Sequence, residues 1–344
     1  MALLFFDGFD HVGTTNAVLV TKYLSANAGT VATANTPRTG TQVLEFTVST
    51  QDVITKVLPV SGGFVVGVAL YSTSVWNAAQ DLIQIREGST VHLALGSDGT
   101  SNQKFVVRRG STVLATGTTV LTLNAWYYIE FKGTIDDVTG TYSVRIDGVT
   151  EAALTASGVD TRNVGTGVWD RVRLAPMGGG AHRLDDFYVC DQSGAAPRNT
   201  FLGPIKVETL YPQTDAVAAG SNAGLTPSTG TDHGALVDET APNTTDYNSS
   251  ATVGLKDTYN YPSPALTGSI LGIQTNLYVA KSDTNARQVC AVVRAGGVDY
   301  DGASVAPSTA FSYFSEVRQQ NPNTSADWTA TDITNLQAGM KVTA

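Results

Sequence analysis

Charge is scarce in this sequence. Only 15% of its 344 residues are Asp, Glu, Lys or Arg, well under the usual share of about a quarter. Basic residues are the scarcer kind, 21 against 30 acids, and the net charge is −9. With no Lys/Arg run, such a chain does not attract phosphate backbones or anionic lipid, so nucleic acid and membrane surfaces are excluded as partners. Cysteine is nearly absent. Cys190 and Cys290 lie far apart, which argues against a disulfide framework, and each reads as a small buried apolar residue.

Long apolar runs are missing as well. Nothing approaches the roughly 20 residues of a membrane span. The apolar run Ala2 to Phe6 has no basic flank and is shorter than the roughly 7–15 residues of a signal core. The expectation is synthesis in a cytoplasm without signal peptide or membrane insertion. Helical periodicity is lacking beyond a few residues. Cofactor and metal motifs are lacking too. The histidines His11, His92, His182 and His233 are scattered, with no H-x-x-x-H, C-x-x-C, G-x-G-x-x-G, P-loop or G-x-S-x-G pattern. No cofactor, no metal centre and no catalytic residue are expected.

What is present is apolar residues at 42%, with abundant Gly, arranged as short alternating segments. The clearest is 125–148. Tyr127, Ile129 and Phe131 alternate with Trp126, Tyr128, Glu130 and Lys132, and Tyr142, Val144 and Ile146 with Ser143, Arg145 and Asp147. Successive strand side chains point to opposite faces, so this is a hairpin with one apolar and one mixed face. It needs a second sheet to cover the apolar face. Strand candidates at 42–48, 52–58, 63–71, 81–86, 90–95, 103–109 and 112–116 are separated by turn signals such as Glu87-Gly88-Ser89 and Ser97-Asp98-Gly99. That spacing predicts an all-β sandwich. Two more strands, 169–175 and 183–190, precede a Gly/Ala/Pro stretch.

The expected organisation is a first β-sandwich over 1–195, a linker over 196–203 and a second β-sandwich over 204–344. In the second part, 269–280, 287–294 and 309–318 read as strands, and 331–336 as one helical turn capped by Thr331. Residues 212–250 are rich in Thr, Asn, Asp, Gly, Ser and Pro. That is too long for a structureless loop unless it is functional or wraps a surface.

FDGFD at the start, AWYYIEFKG…TYSVRIDG in the middle and LDDFYVCD near residue 190 resemble the concanavalin-A-like (LamG-type) jelly roll. The resemblance implies that Leu3–Phe6 and Leu184–Cys190 pair in one sheet, and that Asp147-Gly148 makes a tight turn. Together with PSTGTDHGALVDETAPNTTDYNSS in the second part, the chain looks like structural proteins of tailed bacteriophages. That implies two jelly-roll-like domains in a tail, fibre or other virion appendage, other virion proteins as partners and a symmetric homo-oligomer, with a trimer the common solution.

Glucanases of the concanavalin-A-like family carry E-x-D-x-x-E on one strand, but no such spacing surrounds Glu45, Glu87, Glu130, Glu151, Glu208, Glu239 or Glu316. Asp185 and Asp186 are strand neighbours and are expected to face opposite sides. A non-enzymatic assembly and display role is therefore the main expectation, with a host-glycan-binding adhesin as the alternative and a polysaccharide hydrolase behind both. Candidate glycan contacts are Trp76, in a loop expected to expose it, and Trp126 with Tyr128 on the mixed hairpin face. His92 is expected to be solvent-facing or internally satisfied. Asp299 and Asp301 form half of a calcium loop, and Asp7 with Asp10 could serve a LamG-type calcium site. Asp232, His233, Asp246 and Tyr247, within 212–250, are the candidate assembly contacts.

Overall fold

The computed structural model describes every residue except 1, 15, 28–29, 33–36, 61, 217–223 and 265–266. The alternating segments become antiparallel strands in two units. One comprises Met1–Asp10 with Thr14–Val207, the other His11–Gly13 with Glu208–Ala344. The stretch 196–203 groups with the first unit.

In chain order the first unit holds β1 (Leu3–Asp7), helix α1 (Asn16–Lys22), β2 (Ser25–Asn27), β3 (Thr30–Ala32), β4 (Val43–Phe46), β5 (Asp52–Ile54), β6 (Phe64–Ser72), β7 (Asp81–Glu87), β8 (Thr90–Ser97), β9 (Phe105–Arg109), β10 (Thr112–Thr116), β11 (Trp126–Thr134), β12 (Gly140–Ile146), β13 (Val149–Val159), β14 (Arg171–Leu174) and β15 (His182–Cys190). One sheet runs β13-β12-β11-β6-β15-β4-β3, with β1 also paired to β15; the other runs β10-β9-β8-β7-β14-β5-β2. This is a two-sheet, jelly-roll-type sandwich.

The hairpin forms as the alternation predicts. Ile129, Phe131, Val144 and Ile146 meet across β11 and β12 in direct register. Ile129 and Phe131, with Val66 and Val68 of β6 and Ile83, Ile85, Leu93 and Leu95 of the other sheet, are fully buried. Burial of apolar surface between the sheets is the main stabilising term. Between the hairpin arms, Asp136 Oδ1 accepts from Val138 N at 2.8 Å and Thr139 N at 2.7 Å. At the next corner Asp147 and Gly148 have φ of +50° and +79°, the left-handed pair of a tight two-residue turn.

Helix α1 has no counterpart in the sequence reading. It spans only seven residues, too few for a visible period. Tertiary contacts hold it: Leu19 is buried, and Lys22 at its end faces Asp7 at 2.9 Å inside the unit.

The second unit holds β16 (Thr214–Asp215), β17 (Thr226–Pro227), a 3-10 turn (Gly234–Leu236), β18 (Asn248–Ser249), β19 (Lys256–Asn260), β20 (Ile273–Val279), β21 (Val289–Ala295), β22 (Val298–Asp301), β23 (Ser312–Arg318), β24 (Gln320–Asn321), β25 (Ala326–Asp327), helix α2 (Ala330–Thr334) and β26 (Gln337–Val342). A five-stranded sheet runs β16-β19-β26-β21-β22, and β20 pairs with β23 as a separate ribbon. Val293, Trp328, Ile333, Leu336 and Ala338 form its core, with Ile270 and Ile273 packed against them. The helical turn starts two residues earlier than expected. Thr329, not Thr331, caps it, accepting from Asp332 N at 3.1 Å while Asp332 Oδ2 accepts from Thr329 N at 2.8 Å.

Candidate functional site

The mixed face of the hairpin is the outer face of the eight-stranded sheet, and its cross-strand register fixes what it presents. Trp126 of β11 pairs with Tyr71 of β6, Tyr71 with Arg183 of β15, and Arg183 with Glu45 of β4. Directly paired residues share a face, so these four make one row across four strands, about 14 Å long at the usual strand spacing. The Trp126 and Tyr71 rings lie 5.4 Å apart, Arg183 stands over Tyr71 at 5.4 Å, and Arg183 Nε donates to Glu45 Oε2 at 2.6 Å. All four are partly exposed.

Next to this row the face is covered by the chain itself. Residues 198–207, which follow β15 and Pro197, run across it as a strap. Phe201 lies beneath Arg145 and Lys132, at 4.4 and 4.7 Å from its ring. Glu130, fully buried, accepts through Oε1 from Gly203 N at 2.9 Å and from Tyr188 OH at 2.6 Å. Tyr188 OH in turn accepts from Leu202 N at 3.2 Å. Tyr188 fits because Gly67 opposite it has no side chain: a Cβ there would sit 2.0 Å from the tyrosine ring.

The strap ends on Asp186, whose Oδ1 accepts from Val207 N at 2.6 Å. Here the sequence expectation is corrected. Asp185 and Asp186 do not face opposite sides. β15 changes its outer neighbour at this point from β4 to β1, and its register slips between Asp185 and Tyr188. Asp186 takes φ +50°, so both carboxylates turn to the same loop. Asp185 Oδ2 accepts from Arg38 N at 3.1 Å and Thr39 N at 3.0 Å, while Asp186 Oδ2 accepts from the Arg38 guanidinium and from Thr39 Oγ1 at 3.0 Å. A bulge of this kind has no sequence signature when its residue is Asp and not Gly.

Burial, with Asp186 beside it, pushes the Asp185 carboxyl up to about 8. Burial raises Asp186 as well. The native state therefore keeps a proton over a range where the unfolded chain has lost it, so stability falls as pH rises toward 8. Buried His182 is shifted downward from 6.5 and acts with the opposite sign, but only at and below that pH. Between pH 6.5 and 8 the unfolding free energy is expected to decrease, and Asp185→Asn to flatten the decrease. Urea unfolding at each pH checks this; an unchanged slope in the variant would refute it.

The remaining candidates fall as follows. Trp76 is buried, not exposed: 1% of its surface remains, its ring lies 4.9 Å from Phe105 and its Nε1 donates to Ser72 Oγ at 3.2 Å. Tyr128 is buried too; its OH donates to Asp186 O at 2.9 Å under Arg38. Of the three aromatic candidates only Trp126 lies at the surface. Tyr71 and Arg183, its neighbours in the row, were missed because they sit on other strands and only the register joins them. His92 is buried and satisfied, with Nε2 3.1 Å from Glu87.

The calcium readings are corrected as well. Asp299 is taken by Lys256 and by Arg294 at 2.7 Å, and Asp301 by Lys341 at 2.6 Å. Asp7 faces Lys22 and accepts from Tyr23 OH at 2.8 Å, whereas Asp10 Oδ1 accepts from Thr41 N and Gln42 N at 2.6 and 2.9 Å. No cluster of metal-ligating side chains occurs among the described residues.

Of the segment 212–250, residues 217–223 lie outside the described residues. The remainder is stitched to its own unit. His233 Nδ1 lies 2.6 Å from buried Asp257, Asn248 Nδ2 donates to Tyr259 OH at 3.0 Å, and Asp232 Oδ1 accepts from Gly234 N and Ala235 N. Asp232 and His233 are thus spent internally. One Asp246 carboxylate oxygen is buried, while Tyr247 keeps 44% of its surface.

Fold and face together define an all-β sandwich with a second antiparallel β unit. No known protein family and no curated protein matches the sequence. Among solved structures, the chain is similar to a Trypanosoma rangeli sialidase at 16% identity and TM-score 0.35, over 52% of this chain and 31% of that one. It is also similar to the carbohydrate binding module CBM66 from Bacillus subtilis (11% identity, TM-score 0.33, 49% and 96% covered). A third likeness is to the Caenorhabditis elegans galectin LEC-6 (17% identity, TM-score 0.28, 42% and 94% covered). The chain spans about a third of the sialidase's length. None of these three is named as a virion protein.

Proposed function

We propose that this chain is a non-catalytic saccharide-binding protein whose first unit takes a glycan along the Trp126–Tyr71–Arg183–Glu45 row. The observation that carries this is the partly exposed pair of rings continued in register by a guanidinium and a carboxylate. Sugar rings present C–H faces that stack on aromatic planes and hydroxyls that bond to charged groups beside them. The acids nearest the row give no support to hydrolysis. Glu130, Asp185 and Asp186 are buried beneath the strap and the Arg38 loop, and Glu45 is held by Arg183.

Screening the full chain against a glycan array tests the reading. Binding is expected for the wild type, and Trp126→Ala and Tyr71→Ala should each weaken it about tenfold, the loss of a central aromatic contact. Circular dichroism should show both variants folded. An array with no bound glycan, or wild-type affinity in Trp126→Ala, would remove the proposal.

A further inference from the structure

The opposite sheet carries a feature that the glycan row does not use. Arg171 of β14 is the direct cross-strand partner of Arg86 of β7, and Arg173 stands two residues further along the same face. Like charges placed directly opposite each other are destabilising, and this chain has few cations to spare, 21 Lys and Arg against 30 acids. Two carboxylates answer the three guanidiniums. Arg173 Nε donates to Asp52 at 2.5 Å, and Arg171 Nη2 stands 3.4 Å from Asp170. Among the described residues one positive charge is left over. Arg86 Nη2 donates to Ser89 O at 3.0 Å, but the buried Nε of Arg86 and that of Arg171 find no acceptor among the described residues. Burial, and then the charge of Arg173, push the Arg86 guanidinium below its usual value. A cluster that repels itself and holds unmet donors is completed by a negative group.

We propose that the Arg86–Arg171–Arg173 cluster, on the outer face of the seven-stranded sheet, binds an oxyanion: a sulfate, phosphate or carboxylate group. Guanidiniums present paired N–H donors in a planar fork that matches such groups. The anion enters as a free inorganic ion or as the acidic substituent of a saccharide; both offer the same oxygens. This site is on the other sheet from Trp126, so it stands or falls independently of the glycan row.

The test uses the full chain labelled with nitrogen-15 at arginine, with the Nε–H signals followed during titration. The probes are sodium sulfate, with chloride as the control at equal ionic strength, and a sulfated oligosaccharide. Arg86→Gln and Arg171→Gln assign two of the signals. Saturable shifts of those two signals beyond the chloride response are expected. Arg171→Gln should weaken binding about tenfold, the loss of a charge-assisted hydrogen bond. Without anion, Arg171→Gln should be at least as stable as the wild type, because the repulsion is gone; Arg86→Gln provides the same check. Tighter binding of the oligosaccharide identifies a saccharide source, and equal binding a free ion. No shift beyond chloride with either probe, or wild-type titration in both variants, would overturn the site.

Discussion

Trp76→Ala is expected to lower the unfolding free energy by about 3–5 kcal/mol, the usual cost of emptying a large aromatic site in a core. The ring is buried between Ser72 of one sheet and Phe105 of the other, so its removal opens a cavity where the two layers meet. Its backbone oxygen also accepts from Ser101 N at 3.2 Å, a bond the substitution keeps. The variant separates two roles that sequence leaves merged. A glycan contact would cost affinity and little stability. A core residue costs stability, and the molecules that remain folded bind as before. Urea unfolding with a binding measurement well below the midpoint makes the distinction. Unaltered stability together with lost binding would contradict the core assignment.

Asp7→Ala should be as costly, about 3–5 kcal/mol, the typical result of breaking a buried ion pair from one side. Asp7 and Lys22 are both buried, at 2.9 Å, with Tyr23 OH donating to the same carboxylate oxygen at 2.8 Å and Phe9 N to the other. Burial pulls the Lys22 ammonium down from its usual value and Asp7 opposes that pull. Removing Asp7 takes away the charge that offsets a buried cation. Removing both charges should be far milder, so Asp7→Ala combined with Lys22→Met is expected to recover most of the loss. A double-mutant cycle in urea measures the coupling. Additive losses would show that the pair does not act as a unit.

These two residues mark where sequence reasoning reaches and where it stops. FDGFD signals the opening strand and turn, and the expected pairing of that strand with 184–190 is observed. What Asp7 does there is not legible, because Lys22 ends a seven-residue helix with no period to read and Tyr23 follows directly after it. The hairpin core, Ile129 and Phe131 against Val144 and Ile146, follows from alternation alone. Trp76 illustrates the reverse case. A Trp flanked by Ser, Val and Asn in a short turn looks exposed, but a loop that folds back between two sheets buries it. The row on the outer face needs the register of four strands distant in sequence, which no local pattern encodes. The aspartate pair was misread because alternation assumes an unbroken strand, and β15 is broken at that point.

The strap has a consequence for the order in which the protein is made. The expected domain edge at residue 195 falls before the whole of the strap. Gly203 N, Leu202 N and Val207 N, the donors to Glu130, Tyr188 and Asp186, all come later in the chain. A gene fragment that stops at codon 195 encodes both sheets yet leaves three buried polar atoms without these donors, each a destabilising loss. On the ribosome the same logic sets a finishing point. The first unit can assemble its strands once Cys190 has emerged, but it is sealed only when Val207 follows.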